Sequence, residues 1–201
     1  MNHYFIENRE LLTNERLLEL DIFDAKFKFL SNNGLFACDK VDEASVTLLK
    51  NIPPLEGKLL DIGCGYGTLG IVLAKMYGAE LTMADINPIA LEYAEKNARL
   101  NGISATFVHS DSFSNITEKF DNIVLNPPIH AGKEVMYRMY KESAMHLLPG
   151  GSLYIVIQKK HGAETTLVKF KEIFSQVNVL YKKKGCYVIQ GLYQIPPQHL
   201  L

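Results

Sequence analysis

The chain has 201 residues, 47% of them hydrophobic and 21% charged, as is typical of one globular domain with or without a small extension. Its 21 basic and 22 acidic residues leave a net charge of -1, so any nucleic-acid-binding surface must be local. Three scattered cysteines, Cys38, Cys64 and Cys186, argue against a disulfide scaffold or a zinc site, and we expect no metal. Because the N-terminus is polar and no apolar run is long enough to span a bilayer, we expect a cytoplasmic protein without a membrane partner.

The first 50 residues differ in pattern from the remainder. Residues 17–23 and 26–30 are predicted to form a hairpin that turns at Asp24 and Ala25, and residues 42–49 a helix. We expect residues 1–50 to be an extension and not an independent domain, and the hairpin and Phe36 could cover the pocket as a lid. Residues 51–195 are then the main domain.

Strands and helices alternate along this main domain. The predicted strands are 59–62, 80–86, 105–109, 120–125, 152–158, 177–181 and 187–193, and the predicted helices are 69–77, 88–100, 133–148 and 165–174. Such alternation predicts an α/β, Rossmann-like, mostly parallel sheet of seven strands with helices on both faces. Only the short basic turn 182–185 separates the last two strands, so they are predicted to form a C-terminal antiparallel hairpin.

A glycine-rich loop, LLDIGCGYGTLG, follows the first of these strands and opens a helix. Glycines allow a ligand to approach the backbone closely. Gly65 to Gly70 match the G-x-G-x-x-G pattern of dinucleotide-binding proteins, with Asp85 at the expected distance. Asp61, however, would repel a pyrophosphate and attract an ammonium group. The loop therefore fits S-adenosylmethionine (SAM), which has an amino group and no phosphate, better than a nicotinamide dinucleotide.

Further acidic residues end the next two strands, at the edge where open α/β sheets bind ligands. Asp85 is the natural acceptor for the ribose hydroxyls, and Asp111 is placed to meet the adenine edge. Each of these acids, and Asp61 as well, could instead cap a helix or a turn. The predicted cofactor site consists of Asp61, Gly63, Gly65, Gly67, Asp85, Ile86, Asp111, Ser112 and Asn126.

The segment Asn126-Pro127-Pro128 follows the fourth strand of the main domain. Two prolines cannot continue a central strand, so they fix the chain where Asn126 reaches the ligand edge. The exocyclic amine of a nucleobase is a poor nucleophile, but an asparagine oxygen and a proline carbonyl can both accept from it and hold it in line for methyl transfer. We predict that Asn126, Pro127 and Pro128 are the catalytic residues, although the segment could instead be a rigid turn in which Asn126 is a cap.

Taken in order, GCGYG, Asp85, SDSF and NPPIHAG resemble the methyltransferase small domain family, which includes ribosomal small-subunit RNA guanine-N2 methyltransferases. The resemblance covers roughly residues 20–192. It implies a class I SAM-dependent fold, a cofactor lined by Asp61, Gly63, Gly65, Asp85 and Asp111, and a target amine held by residues 126–128. It also implies the product S-adenosylhomocysteine and RNA as the partner.

Two segments depart from what is common in this family or in other amino-methylases. Many amino-methylases have an aromatic residue after Asn-Pro-Pro, where this chain has Ile129. His130 matches a histidine common in the family and could contact the base or pack within the loop. The family's D-x-G-S segment is here Asp42-Glu43-Ala44-Ser45. We predict that Ile129, His130, Lys159 and Lys160 bind the substrate.

Basic residues suggest where RNA would bind. Lys159 and Lys160 follow a strand at the ligand edge, whereas the lysines of turn 182–185 are either part of the same phosphate-binding surface or simply solvated. The predicted activity is methylation of a guanine amine in ribosomal RNA. Methylation of a protein glutamine amide or a small amine, and a non-catalytic SAM-binding assembly factor, remain alternatives, and the oligomeric state is open between monomer and weak dimer.

Overall fold

The computed structural model describes residues 14–194. Within that range the structure has nine strands and five α-helices. The strands are β1 (Arg16–Ile22), β2 (Ala25–Ser31), β3 (Lys58–Ile62), β4 (Glu80–Asp85), β5 (Ala105–His109), β6 (Phe120–Leu125), β7 (Leu147–Gln158), β8 (Gln176–Lys183) and β9 (Cys186–Leu192), and the helices are α1 (Glu43–Asn51), α2 (Thr68–Tyr77), α3 (Pro88–Leu100), α4 (Lys133–Met145) and α5 (Ala163–Ile173). None of these helices is long and apolar enough to cross a membrane.

Seven strands form one sheet in the order β5-β4-β3-β6-β7-β9-β8. Strands β3 to β7 are parallel, and β9 lies antiparallel between β7 and β8. Helices α1 to α3 bury their apolar residues against one face, and α4 and α5 against the other. The predicted seven-stranded sheet with a C-terminal antiparallel hairpin is therefore confirmed. Its parallel strands all end at one edge, which is called the ligand edge below.

The boundary between α4 and β7 differs from the prediction. The helix was expected to run to Leu148 and to be ended by the glycines that follow, but it ends at Met145, and Leu147 already pairs with Phe120 of β6. Gly150 donates its N–H to the carbonyl of Tyr193 at 2.8 Å. The Pro-Gly-Gly segment is thus part of the sheet, because neighbouring strands satisfy its backbone.

The N-terminal hairpin has its turn one residue earlier than predicted. Phe23 and Asp24 have φ values of 53° and 59°, the left-handed conformation that closes a two-residue hairpin, and Ala25 already pairs with Ile22. One face of the hairpin is buried in the same core as α2 and α3. That face consists of Leu18, Ile22, Phe27 and Phe29.

Two asparagines, Asn97 in α3 and Asn101 directly after it, hold the free edge of this hairpin. Asn97 accepts the N–H of Leu30 at 2.7 Å and donates to its carbonyl at 2.9 Å. One turn later, Asn101 makes the same pair of hydrogen bonds with Lys28, at 3.1 and 2.7 Å. The two amides act as a substitute for a neighbouring strand, since each matches one donor and one acceptor of β2. The hairpin is therefore fixed along α3.

Candidate functional site

The glycine loop connects β3 to α2 at the ligand edge. The N–H groups of Gly63 and Cys64 both donate to the carbonyl of Ala84 at the end of β4. Gly65 has a φ of 56°, and a Cβ placed on it would meet no described atom within 4 Å. Gly67 differs, because a Cβ there would lie 2.8 Å from the side chain of Ile71. Gly65 thus borders open space beside the loop, whereas Gly67 is required for close packing at the start of α2.

Asp61 lies behind this loop and is almost completely buried, with 1% of its surface exposed. Its Oδ2 accepts the N–H of Gly70 in the first turn of α2 at 2.8 Å. Its Oδ1 is buried and has no hydrogen-bond partner among the described residues. Burial raises the pKa of Asp61 from 3.8 to about 7, partly opposed by the Gly70 N–H and reinforced by Asp85. The carboxyl therefore caps α2 with one oxygen and keeps a second for a donor.

This raised pKa predicts a pH dependence of stability. The folded chain binds the Asp61 proton more tightly than the unfolded chain, so the free energy of unfolding should fall as pH rises from about 4 to about 7, by about 1.4 kcal/mol per unit of pKa difference. Urea unfolding of the wild type and of Asp61→Asn, each measured without added ligand at several pH values, should show the variant gaining relative stability across that window. Parallel curves would contradict the assignment.

Asp85, at the end of β4, holds the glycine loop from the other side. Its Oδ2 accepts the N–H of Gly65 at 2.8 Å, and its Oδ1 accepts that of Asn87 at 2.8 Å. Burial raises the pKa of Asp85, opposed by these backbone N–H groups and by His109. A carboxylate has about four acceptor positions, so acceptor capacity remains for hydroxyl groups. The carbonyl of the neighbouring Ile86 is in contact with the His109 ring at 2.8 Å.

Side chains of α4 form hydrogen bonds with Asp111 and Ser112, the two predicted cofactor residues that follow β5. Arg138 donates to the exposed carboxylate of Asp111 at 2.7 Å. The hydroxyl of the buried Ser112 donates to Glu142. The assignment of Asp111 and Ser112 to a cofactor therefore stays a prediction. Because the hydroxyl of Ser112 is bonded to Glu142, the backbone of Ser112 would have to make the contact.

Asn126 follows β6 directly and lies at the same edge as Gly63, because β6 pairs in parallel with β3 in the register Asp61↔Val124. Its amide nitrogen Nδ2 donates to Oδ2 of Asp42 and to Oγ of Ser45, each at 3.0 Å. Both partners belong to the start of α1, for which Asp42 is the N-cap. The amide oxygen of Asn126 therefore faces away from α1.

The two proline carbonyls are not equivalent. The carbonyl of Pro128 accepts the N–H of Ala131 at 2.9 Å, within the short 3-10 turn Ile129–Ala131. The carbonyl of Pro128 therefore already has a partner within the loop. Pro127 is buried, Ile129 is half-buried, and His130 is exposed at the surface of the turn. Of the two carbonyls, that of Pro127 is the better candidate for a substrate acceptor.

Two basic turns meet at the ligand edge. Lys159 donates its N–H to the carbonyl of Gly185 at 2.7 Å, because β9 starts where β7 ends. Burial, Lys160 and His130 lower the pKa of His161, so this turn also lies close to the Asn-Pro-Pro loop. We call the group Lys159, Lys160, His161, Lys183 and Lys184 the basic ridge.

Three contacts of the site were not anticipated from the sequence. They are the hydrogen bonds of Asp42 and Ser45 to Asn126, the pairing of Arg138 with Asp111, and the bond from Asn97 to the carbonyl of Tyr66 in the glycine loop at 2.9 Å. The segment Asp42-Glu43-Ala44-Ser45 was the available sequence signal for the hydrogen bonds to Asn126, but nothing in that segment identifies Asn126 as the partner. In the described residues, no cluster of three or more His, Cys, Asp or Glu side chains could hold a metal ion.

Comparisons with known proteins show which family the chain resembles. Residues 26–190 match the family described as the methyltransferase small domain. The chain is 39% identical to the uncharacterized protein YbxB of Bacillus subtilis over 94% of its own length and 97% of that protein. It is 41% identical to ribosomal RNA small subunit methyltransferase C of Pasteurella multocida, over 61% of this chain and 39% of that protein.

Among solved structures, a 16S rRNA guanine-N2 methyltransferase of Thermus thermophilus, in complex with AdoMet and guanosine, superposes with a TM-score of 0.79 and 28% identity. The match covers 90% of this chain and 51% of that one. This chain therefore spans only about half of the one ribosomal RNA methyltransferase and 39% of the other. The family match argues against the dinucleotide interpretation of the glycine loop.

Proposed function

The chain belongs to the methyltransferase small domain family, and from this premise we propose that it transfers a methyl group from SAM to the exocyclic N2 amine of a guanine in ribosomal RNA. The observation that carries the proposal is the anchored amide of Asn126, whose oxygen faces away from α1 beside the glycine loop. The Thermus thermophilus relative, a 16S rRNA guanine-N2 methyltransferase in complex with AdoMet and guanosine, supports it.

The described residues fit SAM. The open side of Gly65 gives the space that a ligand against the loop needs, and the unpartnered, buried Oδ1 of Asp61 is suited to accept from an ammonium group. Asp85 has acceptor positions left for the ribose hydroxyls. When bound, SAM supplies an electrophilic methyl group on a sulfonium.

The chain's own contribution to the reaction is positioning. We propose that the oxygens of Asn126 and Pro127 accept the two hydrogens of the guanine amine and turn its lone pair towards the methyl group. Holding reactants in line can account for much of a rate enhancement, and no strong base is needed because the proton can leave after transfer. Ile129, beside the prolines, would contact the base by packing, since an aliphatic side chain cannot stack as an aromatic ring does.

RNA as the partner is supported by the position of the basic ridge. A chain with a net charge of -1 nevertheless carries four lysines and a histidine along the edge where Asn126 lies. Phosphate contacts of this kind position RNA without reading its sequence. A base in structured RNA must be turned out to reach such a pocket. We propose that Lys159 and Lys160 contact the phosphates next to the extruded guanine.

The test is transfer of labelled methyl from SAM to ribosomal RNA and to partly assembled small subunits from a strain that lacks this gene. We expect N2-methylguanosine after nuclease digestion. Label only in protein would replace the RNA proposal by methylation of an amide side chain. SAM binding without any labelled product would favour a non-catalytic role in subunit assembly.

The basic ridge gives a separate prediction about salt dependence. Replacing Lys183 and Lys184 together by glutamine should weaken RNA binding and reduce the slope of log K against log salt concentration by about one to two units, because each phosphate contact contributes about 0.7 to 0.9. The matched control is Lys26→Gln with Lys28→Gln, on the hairpin beside the C-terminal end of α3, away from the ligand edge. Equal slope changes in both pairs would show that the ridge has no special role.

A further inference from the structure

We infer that Asp42 and Ser45 are positioning residues that fix the orientation of the Asn126 amide, so that its oxygen and not its NH2 group meets the acceptor substrate. The inference rests on the proposed function for its kinetic consequence, but the orientation itself is a property of the free protein. It assigns a role to the segment Asp42-Glu43-Ala44-Ser45, which the cofactor and base sites do not use.

The contacts are specific and partly buried. Oδ2 of Asp42 accepts from Nδ2 of Asn126 at 3.0 Å and from the backbone N–H of Ser45 at 2.7 Å. Oγ of Ser45, a residue with 6% of its surface exposed, accepts from the same Nδ2 at 3.0 Å. Both hydrogens of the Asn126 amide therefore have partners on α1, and one carboxylate oxygen links the helix cap to the amide.

The chemistry of the partners determines which end of the amide faces them. A carboxylate can only accept, so it selects the NH2 group of Asn126 and repels the amide oxygen. In the flipped orientation, the oxygen would lie against Asp42 and the NH2 group would point towards the substrate. An amine offers its hydrogens to acceptors, so a donor in that position could not hold it. Only the orientation selected by Asp42 and Ser45 makes Asn126 useful for catalysis.

The support for these two residues is rigid. Asp42 accepts the Ser45 N–H and so caps α1. On the same helix, Leu48 and Leu49 are completely buried in the core shared with α2. Consequently the first turn of a packed helix supplies the N-terminal region's contacts with the site. The orientation of Asn126 depends on residues more than 80 positions earlier in the chain.

Kinetics provide the first test. Ser45→Ala and Asp42→Ala should each lower kcat by about tenfold, with SAM affinity and KM for RNA changed by less than about twofold, since the reacting geometry is what they disturb. Asp42→Ala also removes the cap of α1, so its unfolding in urea is measured beside its rate. The matched control is Thr47→Ala on the same helix, whose hydroxyl donates to the carbonyl of Glu43 and which should leave kcat unchanged.

Coupling separates positioning from general destabilisation. In an Asn126→Ala background, Ser45→Ala should cause no further loss of single-turnover rate, because the amide that it orients is absent. Losses that multiply, or single variants that leave kcat unchanged in a folded protein, would overturn the inference.

A measurement without substrate distinguishes this inference from the proposed function. The side-chain NH2 resonances of Asn126, identified by their loss in Asn126→Ala, should exchange with solvent slowly in the wild type and at least about fivefold faster in Ser45→Ala. Protected resonances with no methyl transfer to RNA would refute the proposed function and retain the amide orientation. Unprotected resonances, or equal exchange in both proteins, would refute the orientation whatever the reaction is.

Discussion

Asn126→Ala should lower kcat for methyl transfer by about 10²- to 10³-fold, the loss typical of removing one preorganised group that is aimed at the reacting atoms. The variant loses the oxygen proposed to accept from the guanine amine, and the carbonyl of Pro127 alone leaves the amine free to rotate. SAM affinity should change by no more than a few-fold, because Asp61, Gly65 and Asp85 remain in place. Single-turnover rates and calorimetric SAM binding measure the two quantities separately.

The matched control for this prediction is Asn122→Ala. Asn122 lies near the start of β6, the strand that Asn126 follows, and it donates to the carbonyl of Glu56 at 2.8 Å. Its replacement removes a buried hydrogen bond and should lower stability without changing kcat. If both variants lost activity equally, the effect of Asn126→Ala would be one of strand stability, and the catalytic assignment would fail.

Asn97→Ala should have the largest effect on stability, lowering the free energy of unfolding by about 3 kcal/mol. The side chain is fully buried and makes three hydrogen bonds, to the N–H and carbonyl of Leu30 and to the carbonyl of Tyr66. Alanine would leave these three backbone groups without partners, at a cost of about 1 kcal/mol or more each. Urea unfolding of the wild type and the variant measures the difference.

The neighbouring asparagine is the control. Asn101→Ala removes the equivalent pair of bonds to Lys28, but these are exposed, so water can replace them and the loss should be below about 1 kcal/mol. Asn97→Ala should also weaken SAM binding, since Tyr66 belongs to the glycine loop, whereas Asn101→Ala should not. Equal destabilisation by both variants would mean that burial at position 97 does not matter.

Local sequence signals were sufficient for the elements of the main domain. The predicted strands 105–109 and 120–125 have the bounds of β5 and β6, because short apolar runs between turn residues have few alternative structures. The antiparallel order of β8 and β9 followed from a turn too short for a crossover. The error at the end of α4 arose where Pro149, Gly150 and Gly151 suggested a stop, while pairing with β6 and β9 satisfied that backbone.

Local signals also gave the candidate site. Glycines after a strand and an Asn-Pro-Pro segment after another mark the ligand edge, because parallel strands end on the same side of the sheet. They named Asp61, Asp85 and Asn126 without any knowledge of the partners of these residues. The sequence left open whether each of these side chains contacts a ligand or caps a helix or turn.

Only the tertiary structure decided those partners. Asp61 uses one oxygen to cap α2 and keeps the other buried, and Asn126 is oriented by Asp42 and Ser45. Residues 159–161 and 183–184 become one ridge because β9 inserts beside β7. Such contacts join residues that are far apart in the chain, and a hydrogen bond depends on distances of a few tenths of an ångström. Sequence periodicity specifies which face a residue occupies, whereas the packing of whole elements sets those distances.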